Sequence, residues 1–447
     1  MKLDLKRKNI LEKLLNGTNK EINELVEDLH PVDILDILHD NQEDFFKILS
    51  RLPNWLIADI VDEEEDEEKY EILKKFSEVK QKKILDEMSS DELTDLIGIL
   101  DEEESKSILR KMNDEDREDV RQLLSYKPDT AGGIMATEFV AIGENKSIEQ
   151  SLKYLQKEAP AAETAYYIYV VDKKNILRGV VSLRDIVCND FNTKISDIMH
   201  SSVISVPYDM DQEEVAKKFT KYGLLTIPVV DESNMILGIV TIDDIVDIIQ
   251  EETTEDIHRL GGVDEEEKVD GTLKESVKSR LPWLIVNLVT AILAASVVGM
   301  FEETISKVVT LATFMPIVAG MGGNAGTQSL TIVVRGIALG ELTGDNAKGI
   351  FLKELLVGLT TGIVVGAIIS VLGFIWERNI VFGIVIGIAM ILNMLVATMA
   401  GFIVPVILKK LKIDPALASA VFVTTVTDVL GFFFFLGLAT MFISHLV

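Results

Sequence analysis

Five long apolar runs occupy the last third of the chain and restrict it to a membrane-embedded fold. They cover residues 281–300, 308–334, 355–376, 380–408 and 416–443. A helix needs about 20 apolar residues to cross a bilayer, so each run predicts a membrane-spanning helix. Acidic and basic side chains balance at eight each from residue 281 to the end. The sequence therefore predicts a nearly neutral transmembrane domain of five spans at 281–447.

Residues 1–280 have the opposite composition. The chain has a formal net charge of −28, and 64 of its 72 acidic but only 36 of its 44 basic residues lie in this part. Such a charge repels nucleic acid and concentrates cations, which excludes nucleic acid as a partner. The single cysteine, Cys188, cannot form an internal disulfide and fits a reducing cytosol. We expect residues 1–280 to be cytoplasmic.

Asp428 is a carboxylate inside the last apolar run. A central Asp costs about 2.5–3.5 kcal/mol on insertion scales, so it should face a water-filled cavity or a helix bundle rather than lipid. Its default interpretation is an ion or proton site. The spans contain no chain of His or Glu residues to relay protons, which favours an ion, and proton relay stays the competing use.

The second run is rich in glycine and polar residues between Pro316 and Ser329. Small residues allow close helix packing, and so dense a run can also break a helix and turn carbonyls toward a pore. Asn324 and Gln328 lie one turn apart and supply neutral oxygens. Together with one carboxylate, such oxygens suit a hard divalent cation.

Apolar residues at three- and four-residue spacing predict an all-helical, superhelical N-terminal domain at 1–128. Ser89 or Ser90 can cap a helix on which Asp91 and Asp95 lie one turn apart. This pair is either a solvated acidic face or a divalent-cation site.

An internal repeat follows, because residues 170–187 align without gaps on residues 229–246 with nine of 18 positions identical. Each copy predicts strand, turn, strand and helix, which gives α/β modules at 129–195 and 196–250. The repeat resembles a tandem pair of CBS domains. That resemblance implies adenine-nucleotide binding, with ATP as a candidate, through Ser182 and Asp185 and through Thr241 and Asp244. The same pairs are also capping boxes in outline.

Residues 251–280 predict a connecting helix toward the membrane domain. Its acidic side chains include Glu252, Glu255 and Asp256. Oxygen-rich clusters of this kind suit Mg²⁺ or Ca²⁺, and a solvated face is the alternative.

Four motifs together resemble the MgtE family of magnesium channels. They are YKPDTAGGIMATEFV at 126–140, EETTEDIHRLGGV at 251–263, PIVAGMGGNAGTQS at 316–329 and DPALASAVFVTTVTDVLGFF at 414–433. The resemblance covers essentially the whole chain in one domain order. It implies a homodimeric Mg²⁺ channel of the cell membrane with one pore between subunits. Closure is implied when Mg²⁺ bridges the acidic N-terminal and CBS surfaces and holds a plug helix, residues 251–280, under the pore.

The resemblance also assigns roles to single residues. The implied pore residues are Asp428, Gly322, Asn324, Ala325 and the carbonyl of Thr424. The implied regulatory Mg²⁺ ligands are Asp91, Asp95, Glu213, Asp244, Glu252, Glu255 and Asp256. Tyr222-Gly223 departs from the Tyr-Asp often found in the family, which puts one regulatory ligand in doubt.

Charge placement sets the expected topology. With a cytosolic N-terminus, most basic residues of the membrane half fall inside, as the positive-inside rule requires, and the C-terminus is external. Neither a phosphate loop nor a paired metal-hydrolase motif occurs, so we expect no enzyme and no ATP-driven pump. The alternatives are a transporter of Mn²⁺ or Co²⁺ and a membrane-anchored adenine-nucleotide sensor. Asp428 argues against the second, because a simple anchor has no use for a costly intramembrane acid.

Overall fold

The computed structural model describes residues 2–64, 66–159, 162–264, 267–269, 271–417 and 419–447. The chain divides into two compact units, Met1–Ile249 and Gln250–Val447, which are described separately below.

The first unit opens with a set of short helices, as predicted. In the described residues these are α1 to α10: Lys2–Asn16, Asn19–Val26, Pro31–His39, Phe45–Leu49, Asn54–Asp62, Asp66–Lys74, Glu78–Leu85, Ser90–Gly98, Glu102–Lys111 and Asp114–Leu123. Caps separate them: the Thr18 backbone N–H donates to Glu21 at 2.7 Å, and Asp101 accepts from the N–H groups of Glu103 and Glu104. The apolar face of each helix contributes to one core that includes Leu14, Ile34 and Leu56.

Two three-stranded sheets confirm the internal repeat. The first contains β1 (Ala141–Gly143), β2 (Tyr167–Val171) and β3 (Leu177–Ser182); the second contains β4 (Val206–Pro207), β5 (Thr226–Val230) and β6 (Ile236–Thr241). In each sheet the central strand pairs parallel with the first and antiparallel with the third. Helices α11 (Ile148–Glu158), α12 (Leu183–Cys188), α13 (Ile195–Ile198) and α14 (Gln212–Tyr222) complete the modules.

The two modules pack against each other through their central and third strands. The hydroxyls of Tyr169 and Thr226 are 2.8 Å apart, and the Leu177 N–H donates to the Asn234 carbonyl at 2.9 Å. Asn175 and Asn234 both adopt positive φ, at 59° and 63°, which fits the predicted hairpin turns because asparagine tolerates the left-handed region. The repeated turn is therefore also part of the contact between the modules.

The connecting helix predicted at 251–280 is two segments in the structure. Helix α15 (Ile242–Gly261) continues from the second module without a break, and α16 (Leu273–Gly299) starts only after Thr272. Gly262 ends α15 with φ +69°, a conformation that glycine adopts without strain. Thr272 then opens α16 with a capping box formed with Glu275. The glycine at the end of α15 and the capping box at the start of α16 therefore divide the predicted single helix into two.

The second unit contains α16 and a bundle of four more long helices. After the short α17 (Glu302–Lys307) come α18 (Thr310–Ala338), α19 (Ala347–Glu377), α20 (Ile380–Lys410), α21 (Ser419–Met441) and the short α22 (Ile443–Leu446). Within the described residues, four helices are long and apolar enough to cross a membrane, namely α16, α19, α20 and α21. The predicted second span corresponds to α18, which has 29 residues but is interrupted by glycine and polar residues between Gly320 and Ser329.

Glycines bring the long helices close together. On α19, Gly358, Gly362 and Gly366 lie one turn apart and face α20, where added Cβ atoms would approach the α20 backbone at 2.8–3.2 Å. On α18, a Cβ at Gly326 would lie 2.6 Å from a methyl group of Val423 on α21. Since α18 is continuous through its glycine-rich stretch, the alternative of a broken helix is wrong, and Gly322 and Gly326 are the glycines of this stretch that serve close packing.

Candidate functional site

One face of α18 combines polar side chains with exposure. Asn324, Thr327, Gln328 and Thr331 follow one another at three- and four-residue spacing and are all exposed in the single chain. Such a face has no suitable partner in lipid, because hydrocarbon cannot hydrogen-bond the amides. It therefore requires water or another protein surface, and it supplies neutral oxygens to whatever lies there.

Asp428 lies on α21, which packs against α18, and its side chain is partly exposed. Thr424 lies one turn before it, where its hydroxyl donates to the Ala420 carbonyl at 2.9 Å. The Thr424 carbonyl, predicted as a pore oxygen, accepts from the Thr427 hydroxyl at 2.9 Å in this arrangement. Of these groups, the Asp428 carboxylate is the one with charge to offer a cation.

Gly322 and Ala325, also predicted to line a pore, are buried. Gly322 faces the amide of Asn393 on α20, and Ala325 belongs to the apolar core of the bundle. Asn324 between them points to the exposed face, since neighbouring helix positions are about 100° apart. Among the three predicted α18 positions, the structure exposes only Asn324.

A buried carboxylate that the sequence interpretation left outside the third span is Glu354, which is 3% exposed. It accepts a hydrogen bond from the Ser329 hydroxyl at 2.8 Å. The same hydroxyl lies 3.2 Å from the carbonyl of Thr398, so α18, α19 and α20 share one polar contact. The available signal was an acid next to a long apolar run, because intramembrane acids usually face the bundle interior.

An acidic cluster forms in the first unit where α8 lies near α15. Burial and then the charge of Asp91 raise the pKa of Glu163 to about 7 and that of Asp244 to about 6. Burial and then the charge of Asp62 raise the pKa of Glu92 to about 8. The pKa of Asp91 itself is raised, mainly by burial. Because charge effects of this kind act over short distances, Asp91 lies near both Glu163 and Asp244, which brings together the predicted ligands Asp91 and Asp244.

The other predicted regulatory acids are placed differently. Asp95 is exposed on α8, and Glu213 forms an ion pair with Lys217 at 3.1 Å. On α15, Glu252, Glu255 and Asp256 are partly buried. In the part of the chain that the structure describes, no three His, Cys, Asp or Glu residues are arranged to hold a metal ion.

Arg259 joins α15 to the segment before α21 within the second unit. Its guanidinium forms ion pairs with Glu255 and with Asp414. The neighbouring Leu260 packs against a cluster of apolar side chains that includes Leu330 and Val423. The predicted regulatory residue Glu255 is thus already engaged by a cationic side chain.

Both predicted nucleotide pairs form caps. The Ser182 hydroxyl donates to Asp185 at 2.6 Å, and the Thr241 hydroxyl donates to Asp244 at 2.6 Å. The hydrogen bond from Ser182 lowers the pKa of Asp185. At Ser182 the hydroxyl also accepts from the Asp185 N–H at 3.1 Å, which confirms the capping box there. At Thr241 the structure shows the half in which the Asp244 carboxylate accepts from the Thr241 N–H at 3.4 Å. Ligand binding at both pairs stays a prediction.

Comparison with known proteins gives the same domain order. Residues 315–438 match the family described as "Divalent cation transporter", residues 29–129 match "MgtE intracellular N domain", and residues 131–189 and 195–251 match CBS domains. Fold and family matches together define a membrane transporter of divalent cations whose N-terminal part matches an intracellular domain followed by two CBS domains.

Sequence identity over most of the length of two relatives narrows this class to one family. The chain is 34% identical to the magnesium transporter MgtE of Bacillus subtilis over 97% of this chain and 96% of the relative. It is 42% identical to that of Enterococcus faecalis over 74% and 72%. The chain belongs to the MgtE family of magnesium transporters.

Two solved structures each match a little more than half of the chain. One is the soluble part of a magnesium transporter, with 37% identity and a TM-score of 0.53 over 56% of this chain and 98% of that one. The other is the cytosolic domain of the Mg²⁺ channel MgtE in complex with ATP, with 36% identity and a TM-score of 0.51 over 54% and 99%. These matches support the multidomain layout predicted from the sequence.

Proposed function

We propose that this chain carries Mg²⁺ into the cytosol through a pathway lined by the exposed face of α18 and by Asp428 of α21. The supporting observation is a partly exposed carboxylate inside an apolar helix that packs against a helix with exposed amides. Mg²⁺ dehydrates reluctantly, so a site with one or two carboxylates and neutral oxygens can hold it with its water shell. The membrane potential supplies about 4.6 kcal/mol per 100 mV for two charges moving inward.

The pathway is completed by a second copy of the chain. In one copy the polar face of α18 is open, and a pore between two copies would cover it and bring two Asp428 side chains together. Amino-terminal domains in the cytoplasm and an external C-terminus follow from the distribution of basic residues.

Closure depends on Mg²⁺ held between Asp91 and Asp244, because protein sites commonly bind this ion through one or two carboxylates while it keeps several waters. The charge of Asp91 raises the pKa of Asp244 because the two ionised carboxylates repel each other, and a divalent cation offsets that repulsion. A bound ion therefore favours the conformation in which α8 and α15 are together. This is the difference in affinity between two states that a ligand-driven gate requires.

Uptake by proteoliposomes tests the pathway. Asp428→Ala should abolish Mg²⁺ uptake, whereas Glu302→Ala, an exposed acid on α17, should leave it unchanged. Normal uptake by Asp428→Ala would refute the assigned pathway. Adding Mn²⁺ or Co²⁺ as competitors decides whether the chain prefers one of them to Mg²⁺.

The CBS pair is the proposed site for an adenine nucleotide. A cytosolic domain of a relative was solved with ATP, and Ser182 and Asp185 occupy the positions that the CBS resemblance assigns to such a ligand. Titration of the full chain with ATP tests this, with Asp185→Asn as the variant expected to weaken binding. Equal affinity of Asp185→Asn and wild type would restrict Asp185 to its capping role.

A further inference from the structure

Asn393 of α20 is completely buried in the second unit. Its Nδ2 donates a hydrogen bond to the Val318 carbonyl of α18 at 2.8 Å. Its Oδ1 is one of two buried side-chain oxygens in the described residues that have no hydrogen-bond partner, the other being Oε2 of Glu267. A buried polar group left unpaired costs about 1–3 kcal/mol, so an apolar side chain would be a more favourable filler. Stability alone therefore does not explain why asparagine occupies this position.

Two glycines on different helices face the Asn393 amide. A Cβ built on Gly431 of α21 would lie 2.8–2.9 Å from the nitrogen, carbon and oxygen of the amide, closer than real Cβ atoms approach. A Cβ on Gly322 of α18 would collide with the same amide. The amide thus fills a narrow slot between α18 and α21, and neither helix has room for a side chain there.

The two helices of this slot carry the residues of the proposed pathway. Asp428 lies three positions before Gly431, within one helical turn. Asn324 lies two positions after Gly322, on the opposite and exposed side of α18. The thickness of the group between the glycines therefore sets how close the Asp428 helix comes to the Asn324 helix.

We propose that Asn393 is a positioning residue for cation passage: its flat amide, held by the bond to Val318, fixes the separation of α18 and α21 at the level of Asp428. The inference rests on the proposed pathway. Asparagine suits this place because its amide is planar, whereas the branched end of leucine is thicker in the direction of the two glycines. Interiors are close-packed, so a thicker group moves the helices instead of being absorbed.

Asn393→Leu is the first test. The variant keeps four side-chain heavy atoms with the same branching, but it removes both polar atoms and replaces the flat amide by two thicker methyl groups. We expect folded protein whose Mg²⁺ uptake falls by about tenfold or more, because displacements near 1 Å at a functional site have effects of that size. The ratio of Mg²⁺ to Ca²⁺ uptake should change as well, which a loss of stability alone would not cause. Normal uptake and an unchanged ratio would overturn the proposal.

A pair of compensating substitutions keeps the proposal testable if Asn393→Leu does not fold. Gly431→Ala adds a methyl group against the amide and should lower uptake, whereas Asn393→Ala in the same chain removes the amide and should restore part of it. Gly437→Ala is the matched control on α21, because its Cβ would have a single neighbour at an ordinary 3.9 Å. A double variant no better than Gly431→Ala would contradict the proposal. If the wild-type protein itself took up no Mg²⁺, that result would instead refute the proposed function.

Discussion

The Ser90 hydroxyl of α8 donates to the Glu138 carboxylate at 2.7 Å, and the Ser90 backbone N–H donates to the other oxygen of the same carboxylate at 3.1 Å. Glu138 lies just before β1, outside the helical domain, and thus caps α8 at its first residue, Ser90. The Thr137 N–H completes the contact by donating to the Ser90 hydroxyl at 2.9 Å. The first turn of α8, with its acids, is therefore held by the start of the first CBS module.

Glu138→Ala should destabilise the first unit by about 1 kcal/mol, the usual effect of losing a helix cap. Urea unfolding of the full chain, followed by the fluorescence of Trp55 after replacing Trp283 and Trp376 with Phe, measures the change. Glu138→Gln keeps an acceptor for Ser90 and should lose less. Equal losses in the two variants would show that charge, and not the cap, is what Glu138 contributes.

Stability of the first unit should depend on pH through the acidic cluster. The pKa values of Glu92 (about 8), Glu163 (about 7) and Asp244 (about 6) lie above their ordinary values. The folded state therefore binds protons more tightly than the unfolded state. The stabilising contribution is complete near pH 4 and is lost as pH rises through 6 to 8. In chelator, the unfolding temperature should fall across this range.

Mg²⁺ should reverse most of that fall at pH 8, since the cation replaces the missing protons as a partner of the ionised carboxylates. Glu92→Gln removes the group with the highest pKa and should flatten the pH dependence between pH 7 and 8. Glu149→Gln, an exposed acid paired with Lys153, serves as the control and should not change it. A wild-type unfolding temperature that rises from pH 6 to 8 in chelator would be contrary to the cluster's role.

Much of the fold could be predicted because its signals are local. The order of strand, turn, strand and helix that each copy of the repeat predicts is present in both modules, and the turns at Asn175 and Asn234 follow from residue type and repeat. Contacts between distant segments could not be predicted in this way. The pairing of Ser90 with Glu138 depends on tertiary packing, which leaves no periodic signal in the sequence.

For the candidate site, too, the sequence indicates single residues but not the contacts between helices. Asp428 and Asn324 stand out because carboxylates and amides are rare in apolar runs. Gly322 and Ala325 are buried because glycine and alanine at these positions meet another helix, and sequence alone does not say which face of a helix does so. Asn393 could be noted as an intramembrane amide, but its slot between two glycines exists only in three dimensions.

Arg259 should contribute to holding α15 against the segment before α21. Arg259→Gln removes its ion pairs with Glu255 and Asp414 and should make Mg²⁺ uptake less sensitive to Mg²⁺ on the cytosolic side. Uptake by proteoliposomes with graded luminal Mg²⁺ measures this. Asp414→Asn should have a similar effect, and the double variant should add little, because groups that interact are not additive. Fully additive effects would mean that the ion pair between Arg259 and Asp414 does not cause the change in Mg²⁺ sensitivity.

Gly223 stands where the resembled family often has Asp, and it offers a test of whether a Mg²⁺ ligand at this position affects uptake. It ends α14 in the left-handed region at φ +62°, and a Cβ there would have no neighbour within 4 Å. Gly223→Asp should therefore be accommodated at a modest cost, since Asp visits this region more readily than most residues. Under the proposed closure, the added carboxylate should lower the luminal Mg²⁺ concentration that stops Mg²⁺ uptake by proteoliposomes. Gly223→Asn has the same shape without the charge, so an equal shift in both variants would trace the effect to the backbone and contradict a role for a ligand at this position.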